Sequence, residues 1–104
     1  MEYTKIPTSF KVGGQEIEVR FVERFDDDSL GICDVPCGYI EIANTIRKDG
    51  KQSLGSKVNT FYHELTHSIL RTMGEMDLNN NEKFVCGFSS LLTEAMAKAV
   101  FMEE

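Results

Sequence analysis

The chain has 104 residues, 41% of them hydrophobic, and this length and composition suit one small globular domain. Its net charge is −6, from 17 acidic and 11 basic residues, and the basic residues are scattered. A nucleic-acid partner would need a basic stripe, so none is expected. No apolar run is long enough to span a membrane, and the first residues lack the apolar core of a signal peptide. The chain has three cysteines, an odd number that does not suit a secreted disulfide framework. We therefore expect a cytoplasmic protein with reduced thiols and no membrane partner.

The first half of the chain predicts β-strands, over a region of about residues 8–43. Residues 16–22 alternate charged and apolar side chains, as a half-buried strand does, and Gly13-Gly14 just before them predicts a tight hairpin turn. The predicted strands cover residues 9–12, 16–22, 30–35 and 39–43. Because their connections are short, we expect a mostly antiparallel sheet of about four strands. Residues 44–55 are predicted to form a polar loop.

The second half predicts two packed helices. Ser56 is the expected N-cap of a motif helix at about residues 56–73, and Gly74 is its expected stop. A C-terminal helix is expected at about residues 82–102. The apolar positions with helical spacing are Val58, Phe61, Leu65 and Ile69 in the first helix, and Phe84, Phe88, Leu91, Leu92, Ala95 and Ala99 in the second. The sequence thus predicts a single α+β domain over residues 1–104, with a small sheet followed by two helices.

The motif helix contains His63-Glu64-Leu65-Thr66-His67, and this pattern predicts a metal site. Histidines four residues apart lie on one helix face, so both imidazoles can bind one ion. Glu64 flanks that ion without having to ligate it, which suits a general base acting on a zinc-polarised water. Zn²⁺ is the metal that these ligand types favour. The alternative interpretation is that the two histidines lie on the surface of an ordinary amphipathic helix.

A tetrahedral zinc needs a third protein ligand, and the chain has no third histidine. Glu82 is the preferred candidate, because it opens the C-terminal helix, which a short connection places antiparallel to the first. The local pattern supports an alternative equally well, a capping box in which Asn79 is the N-cap and Glu82 is the third residue of the helix. The other ligands left open are Glu75, Asp77, Glu94 and the softer Cys86.

Two segments resemble the minimal gluzincin metallopeptidases of phages and mobile elements, which are relatives of the ImmA/IrrE-type metallopeptidases. Residues 60–70 read Thr-Phe-Tyr-His-Glu-Leu-Thr-His-Ser-Ile-Leu, and residues 81–85 read Asn-Glu-Lys-Phe-Val, followed by Phe88. The resemblance covers about residues 30–96, and only the motif helix is highly specific. It implies a minimal zincin-like core in which Glu82 is the third ligand. It also implies that residues 30–35 form a strand beside the cleft, where an extended substrate could pair.

The sequence therefore predicts a zinc-dependent metallopeptidase that acts on a peptide or protein substrate. His63, His67 and Glu82 would bind zinc, and Glu64 would act as the catalytic base. The chain departs from larger gluzincins in two ways. Cys86 stands where an Asp or Asn often orients a ligand histidine, and no His or Tyr is evident to stabilise the oxyanion. The alternative function is a catalytically inactive, zinc-stabilised protein that binds a partner, and the oligomeric state stays open.

Overall fold

The computed structural model describes residues 6–47 and 50–102. In chain order the elements are the strands β1 (Ser9–Val12), β2 (Gln15–Val22), β3 (Gly31–Asp34), β4 (Tyr39–Ala43), β5 (Thr45–Arg47) and β6 (Gly50–Lys51), and the helices α1 (Leu54–Met73), α2 (Met76–Asn79) and α3 (Glu82–Ala97). The predicted α+β class, with a four-stranded sheet and two long helices, is confirmed. The predictions for residues 1–5, 48–49 and 103–104 lie outside the described residues.

The main sheet has the strand order β1-β2-β4-β3. Two hairpins build it, β1 with β2 through Gly13-Gly14 and β3 with β4, and both are antiparallel. Gly13 and Gly14 have φ values of 59° and 83°, which a β-hairpin turn of this kind requires and glycine adopts without strain. The two hairpins join through a parallel pairing of β2 with β4. The sheet is therefore mostly antiparallel, as predicted, and β3 is left at its edge.

Helix α1 packs across one face of this sheet and forms the core with it. The buried side chains of the core are Ile17, Val19, Ile40 and Ile42 from the strands, and Val58, Phe61 and Tyr62 from the helix. Full burial of each large apolar side chain stabilises the fold by about 1.5–3 kcal/mol. Because α1 lies against β3 and β4, the residues on its next face are held beside the free edge of the sheet.

The helix boundaries differ in part from those predicted. Helix α1 begins after Ser53, whose Oγ accepts a hydrogen bond from the Ser56 N–H at 3.1 Å, so Ser56 is not the N-cap. The helix ends at Gly74 in the left-handed region, with φ 79°, as predicted. Helix α3 ends at Ala97 rather than near Met102. Val100 is 94% exposed, so no packing extends the helix that far.

The buried face of α3 also differs from the predicted stripe. Val85 and Ser89 are buried, and Leu92 and Met96 pack against the core, whereas Phe88 and Leu91 are exposed. Two elements were not predicted at all. Residues 44–55, expected as a loop, contain the β5–β6 hairpin, and a single turn of helix, α2, follows Gly74.

Candidate metal centre

His63 and His67 lie one turn apart on α1, and their half-buried side chains point to the same side. Their ring centroids are 4.9 Å apart. Burial, and next the charge of His67, lower the pKa of His63, while the carboxylate of Glu82 opposes this shift. His63 is therefore a neutral imidazole at pH 7, which is the form that binds a metal.

Glu82 approaches both histidines from the first turn of α3. Its Oε1 lies 3.6 Å from Nε2 of His63, and its Oε2 lies 3.4 Å from Nε2 of His67. Two donors that are each about 2.0–2.1 Å from one tetrahedral ion would be about 3.4 Å apart, so these separations suit a shared metal. The structure thus brings together the three residues that the sequence suggested as ligands.

The capping-box interpretation of Glu82 is wrong. The N-cap of α3 is Asn81, whose Oδ1 accepts a hydrogen bond from the Phe84 N–H at 3.1 Å. Glu82 is therefore the first residue of the helix, not the third, and its carboxylate turns toward the histidines instead of the helix end. A negative charge in that first turn is also favoured by the helix dipole.

Cys86 is the fourth potential ligand at this position. It lies one turn after Glu82 on α3, and its Sγ is 3.9 Å from Oε1 of Glu82. One ligand atom each from His63, Glu82 and Cys86 lie within 4.8 Å of one another, so this group could hold a metal ion. The other carboxylates considered as ligands, Glu75, Asp77 and Glu94, are exposed and belong to no such group within the described ranges.

Asn79 orients His67 from the opposite side. This side chain is buried at the end of α2, and its amide oxygen lies 2.8 Å from Nδ1 of His67. An amide oxygen only accepts, so Nδ1 of His67 donates this hydrogen bond, and in the neutral ring Nε2 then carries the lone pair that faces Glu82. Sequence reasoning assigned Asn79 to a helix cap and missed this contact. The spacing of twelve residues from His67 crosses a turn, and no local pattern reveals such a contact.

Glu64 is buried, at 8% exposure, and lies next to His63 on α1 and close to Gly31 of β3. Burial raises the pKa of this carboxyl to about 7, although the charge of His67 and a hydrogen bond from the Cys33 thiol oppose the shift. Burial, together with the carboxylate of Glu64, raises the pKa of Cys33 to about 11, so that thiol keeps its proton. A carboxyl group that titrates near neutral pH can accept a proton and return it.

Two cavities that share Gly31 and Glu64 form a cleft beside β3 at the candidate centre. One, of about 370 Å³, is lined by Ile32, His67 and Arg71 among others, and the second, of about 340 Å³, by His63 and Cys86. Glu64 and Gly31 line both. A Cβ on Gly31 would come within 2.5 Å of the Thr60 side chain, so the glycine allows β3 to approach α1 this closely.

Arg71 is a further residue of the cleft that sequence reasoning missed. It lies one turn beyond His67 on the same face of α1, and its exposed guanidinium makes no ion pair within the part of the chain that is described. The spacing of four from His67 is the signal that would have found it. The positive charge of Arg71 therefore lies in the same cleft as the carboxyl groups of Glu64 and Glu82.

Comparisons with protein-family models, with curated proteins and with solved structures find no match. The resemblance to gluzincin metallopeptidases therefore stays a prediction that rests on the motif residues. Among the described helices, none has both the length and the apolar character to cross a membrane.

Proposed function

We propose that this protein is a zinc-dependent metallopeptidase whose ion is held by His63, His67 and Glu82. The observation that carries the proposal is Glu64, a carboxyl buried directly beside the ligand group and open to the cleft. A purely structural zinc site has no need of such a group. Two imidazoles and one carboxylate form a ligand set typical of catalytic zinc, and they leave one tetrahedral position for water.

In this function Glu64 carries the proton. A zinc ion in the site would polarise a water molecule and the scissile carbonyl. Glu64 accepts a proton from the attacking water and then donates it to the leaving amine nitrogen as the C–N bond breaks. Burial raises the pKa of Glu64 above its ordinary value, which suits a group that both accepts and returns a proton. Asn79 holds His67 in the tautomer that leaves Nε2 free for the metal.

Peptide substrates are favoured by the position of β3. Among the described residues this strand pairs with β4 alone, so its second edge presents backbone groups without a strand partner there, beside Glu64. An extended peptide could add to that edge by backbone hydrogen bonds, which would align its carbonyl groups along the cleft. The guanidinium of Arg71, at one end, would attract a carboxylate or a carbonyl oxygen of the substrate.

The test is hydrolysis of a denatured protein or a peptide library by zinc-loaded protein, with Glu64→Gln as the matched variant. Glutamine keeps the shape of the side chain and cannot accept the proton. We expect the variant to bind zinc and to lose at least about a hundredfold in hydrolysis rate. Equal rates in the two proteins would refute the proposal.

A second candidate function is a zinc-stabilised binding protein without catalysis, and Cys86 is the observation that favours it. Its sulfur lies beside the ligand group, and a fourth protein ligand is a feature of structural zinc sites. In that case chelation lowers the melting temperature, and no peptide is hydrolysed under any metal load. An unchanged melting temperature after chelation would exclude a stabilising metal.

A further inference from the structure

We infer that the Cys86 thiolate is a fourth, exchangeable metal ligand, which closes the centre and keeps the proposed peptidase latent. Cys86 follows Glu82 by one helical turn, so both side chains lie on the same face of α3. Its sulfur contacts the carboxylate of Glu82, which in turn faces the imidazole nitrogens of both histidines. Ligand atoms of His63, Glu82 and Cys86 therefore lie close enough to share one ion, and His67 contacts the same carboxylate.

The separations of the Cys86 sulfur from Glu82 and His63 suit a single ion. With zinc–sulfur bonds of about 2.3 Å and zinc–nitrogen or zinc–oxygen bonds of about 2.0–2.1 Å, a tetrahedral site separates sulfur from the other donors by about 3.5 Å. The sulfur is 3.9 Å from Oε1 of Glu82 and within 4.8 Å of a ring nitrogen of His63. Rotation about the single side-chain torsion of Cys86 can close gaps of this size. Thiolate is also a ligand that zinc favours over water.

Occupation by sulfur would change what the centre can do. A catalytic zinc site keeps one position for water, and four protein ligands would fill it. The Cys86 thiol loses its proton to solvent as the sulfur–metal bond forms. When a water displaces the sulfur, the thiolate takes a proton back from solvent, and the position beside Glu64 opens. Cys86 lines the second cavity, so its side chain has room to rotate away from the ligands.

The ligand role of Cys86 is tested by cobalt substitution, which does not depend on catalysis. Wild-type protein, Cys86→Ala and the matched control Cys37→Ala are loaded with Co²⁺, and their absorption spectra are recorded. Cys37 is exposed in the turn between β3 and β4 and belongs to no ligand group in the described structure. We expect tetrahedral cobalt bands in all three proteins, and a thiolate-to-cobalt charge-transfer band that only Cys86→Ala lacks. A charge-transfer band that is absent from wild type, or that survives in Cys86→Ala, overturns the inference.

Alkylation provides an independent measurement on the native thiols. Because a coordinated thiolate is shielded, zinc should slow modification of Cys86 by iodoacetamide at least about tenfold, as followed by peptide mass spectrometry. Cys37 in the same sample should react at an unchanged rate. Equal protection of the two cysteines, or of neither, contradicts coordination by Cys86.

The latency rests on the proposed peptidase function, and a third measurement separates the two. Zinc-loaded Cys86→Ala should hydrolyse peptides at least about tenfold faster than wild type, while Cys37→Ala stays at the wild-type rate. Equal, measurable rates in wild type and Cys86→Ala overturn the latency and leave the peptidase function intact. If the cobalt spectrum identifies sulfur but neither protein hydrolyses peptides, both the latency and the peptidase function are refuted. Failure of every variant to bind cobalt rejects the metal centre itself.

Discussion

Glu64 should make the metal-free protein less stable as the pH rises, and Glu64→Gln should remove that dependence. The carboxyl is buried, and burial raises its pKa from the ordinary value of 4.5 to about 7. The folded state therefore binds a proton more tightly than the unfolded chain does. The stability associated with the protonated group is fully present below about pH 4.5 and is lost as the pH rises through about 7.

The size of the effect follows from the shift. A difference of one pKa unit corresponds to about 1.4 kcal/mol, so the shift of Glu64 corresponds to a loss of about 3 kcal/mol at alkaline pH. Because the side chain is only 8% exposed, solvent screening reduces this value little. In a domain of this size, 3 kcal/mol corresponds to roughly 15 °C in melting temperature.

The assay is urea unfolding of chelator-treated wild type and Glu64→Gln between about pH 5 and about pH 8.5. Other groups titrate over this range, His63 among them, whose pKa is lowered by burial and whose effect on stability has the opposite sign. They are present in both proteins, so the difference between wild type and variant isolates Glu64. That difference should grow by about 2–3 kcal/mol in favour of the variant as the pH rises. A difference that does not change with pH would show that Glu64 is not buried as described.

Three further predictions concern stability, metal affinity and substrate binding. Gly87→Ala should stabilise the protein by about 0.5–1 kcal/mol, because its Cβ would enter open space on α3. Gly74→Ala should destabilise it by about 1 kcal/mol, because Gly74 has a φ of 79°. Urea unfolding that ranks the two variants in the reverse order would contradict the helix assignments. Asn79→Ala should lower zinc affinity about 10–100-fold in competition titrations, with Asn80→Ala as the exposed control. Equal zinc affinities of the two variants would show that Asn79 does not orient His67 for metal binding. Arg71→Ala should raise KM about tenfold or more for peptides with a carboxylate near the cleaved bond. KM for the matched amide peptides should stay unchanged. An equal change in KM for both kinds of peptide would argue against a charge contact.

Local patterns predicted the elements of this fold well because they depend on local physics. The alternation at residues 16–22 is typical of a half-buried strand, and the glycines at 13 and 14 are typical of a tight hairpin turn. The structure contains both the strand and the turn. The parallel pairing of β2 with β4 depends on how two hairpins meet, and no local pattern encodes it. The face of α3 was misassigned because Phe88 and Leu91 are as apolar as Leu92, so periodicity alone could not choose between adjacent stripes.

The candidate centre shows the same division. The spacing of His63 and His67 places both imidazoles on one helix face, and this follows from helix geometry alone. The position of Glu82 could not be decided from the sequence, because the choice depended on whether Asn79 or Asn81 caps α3. The contact of Asn79 with His67 depends on the path of the connection between the helices, which only the folded chain specifies.

Helix α3 has few buried side chains of its own, and this has a consequence for the motions of the protein. Only Val85 and Ser89 are fully buried along its length, while α1 contributes much of the core. Elements with few buried contacts open first in local unfolding, so the amide hydrogens of α3 should exchange faster than those of α1 in the metal-free state. An ion shared by His63 and Glu82 would join the two helices directly. Metal occupancy would then set how often α3 detaches, and hydrogen exchange along that helix would report the occupancy of the site.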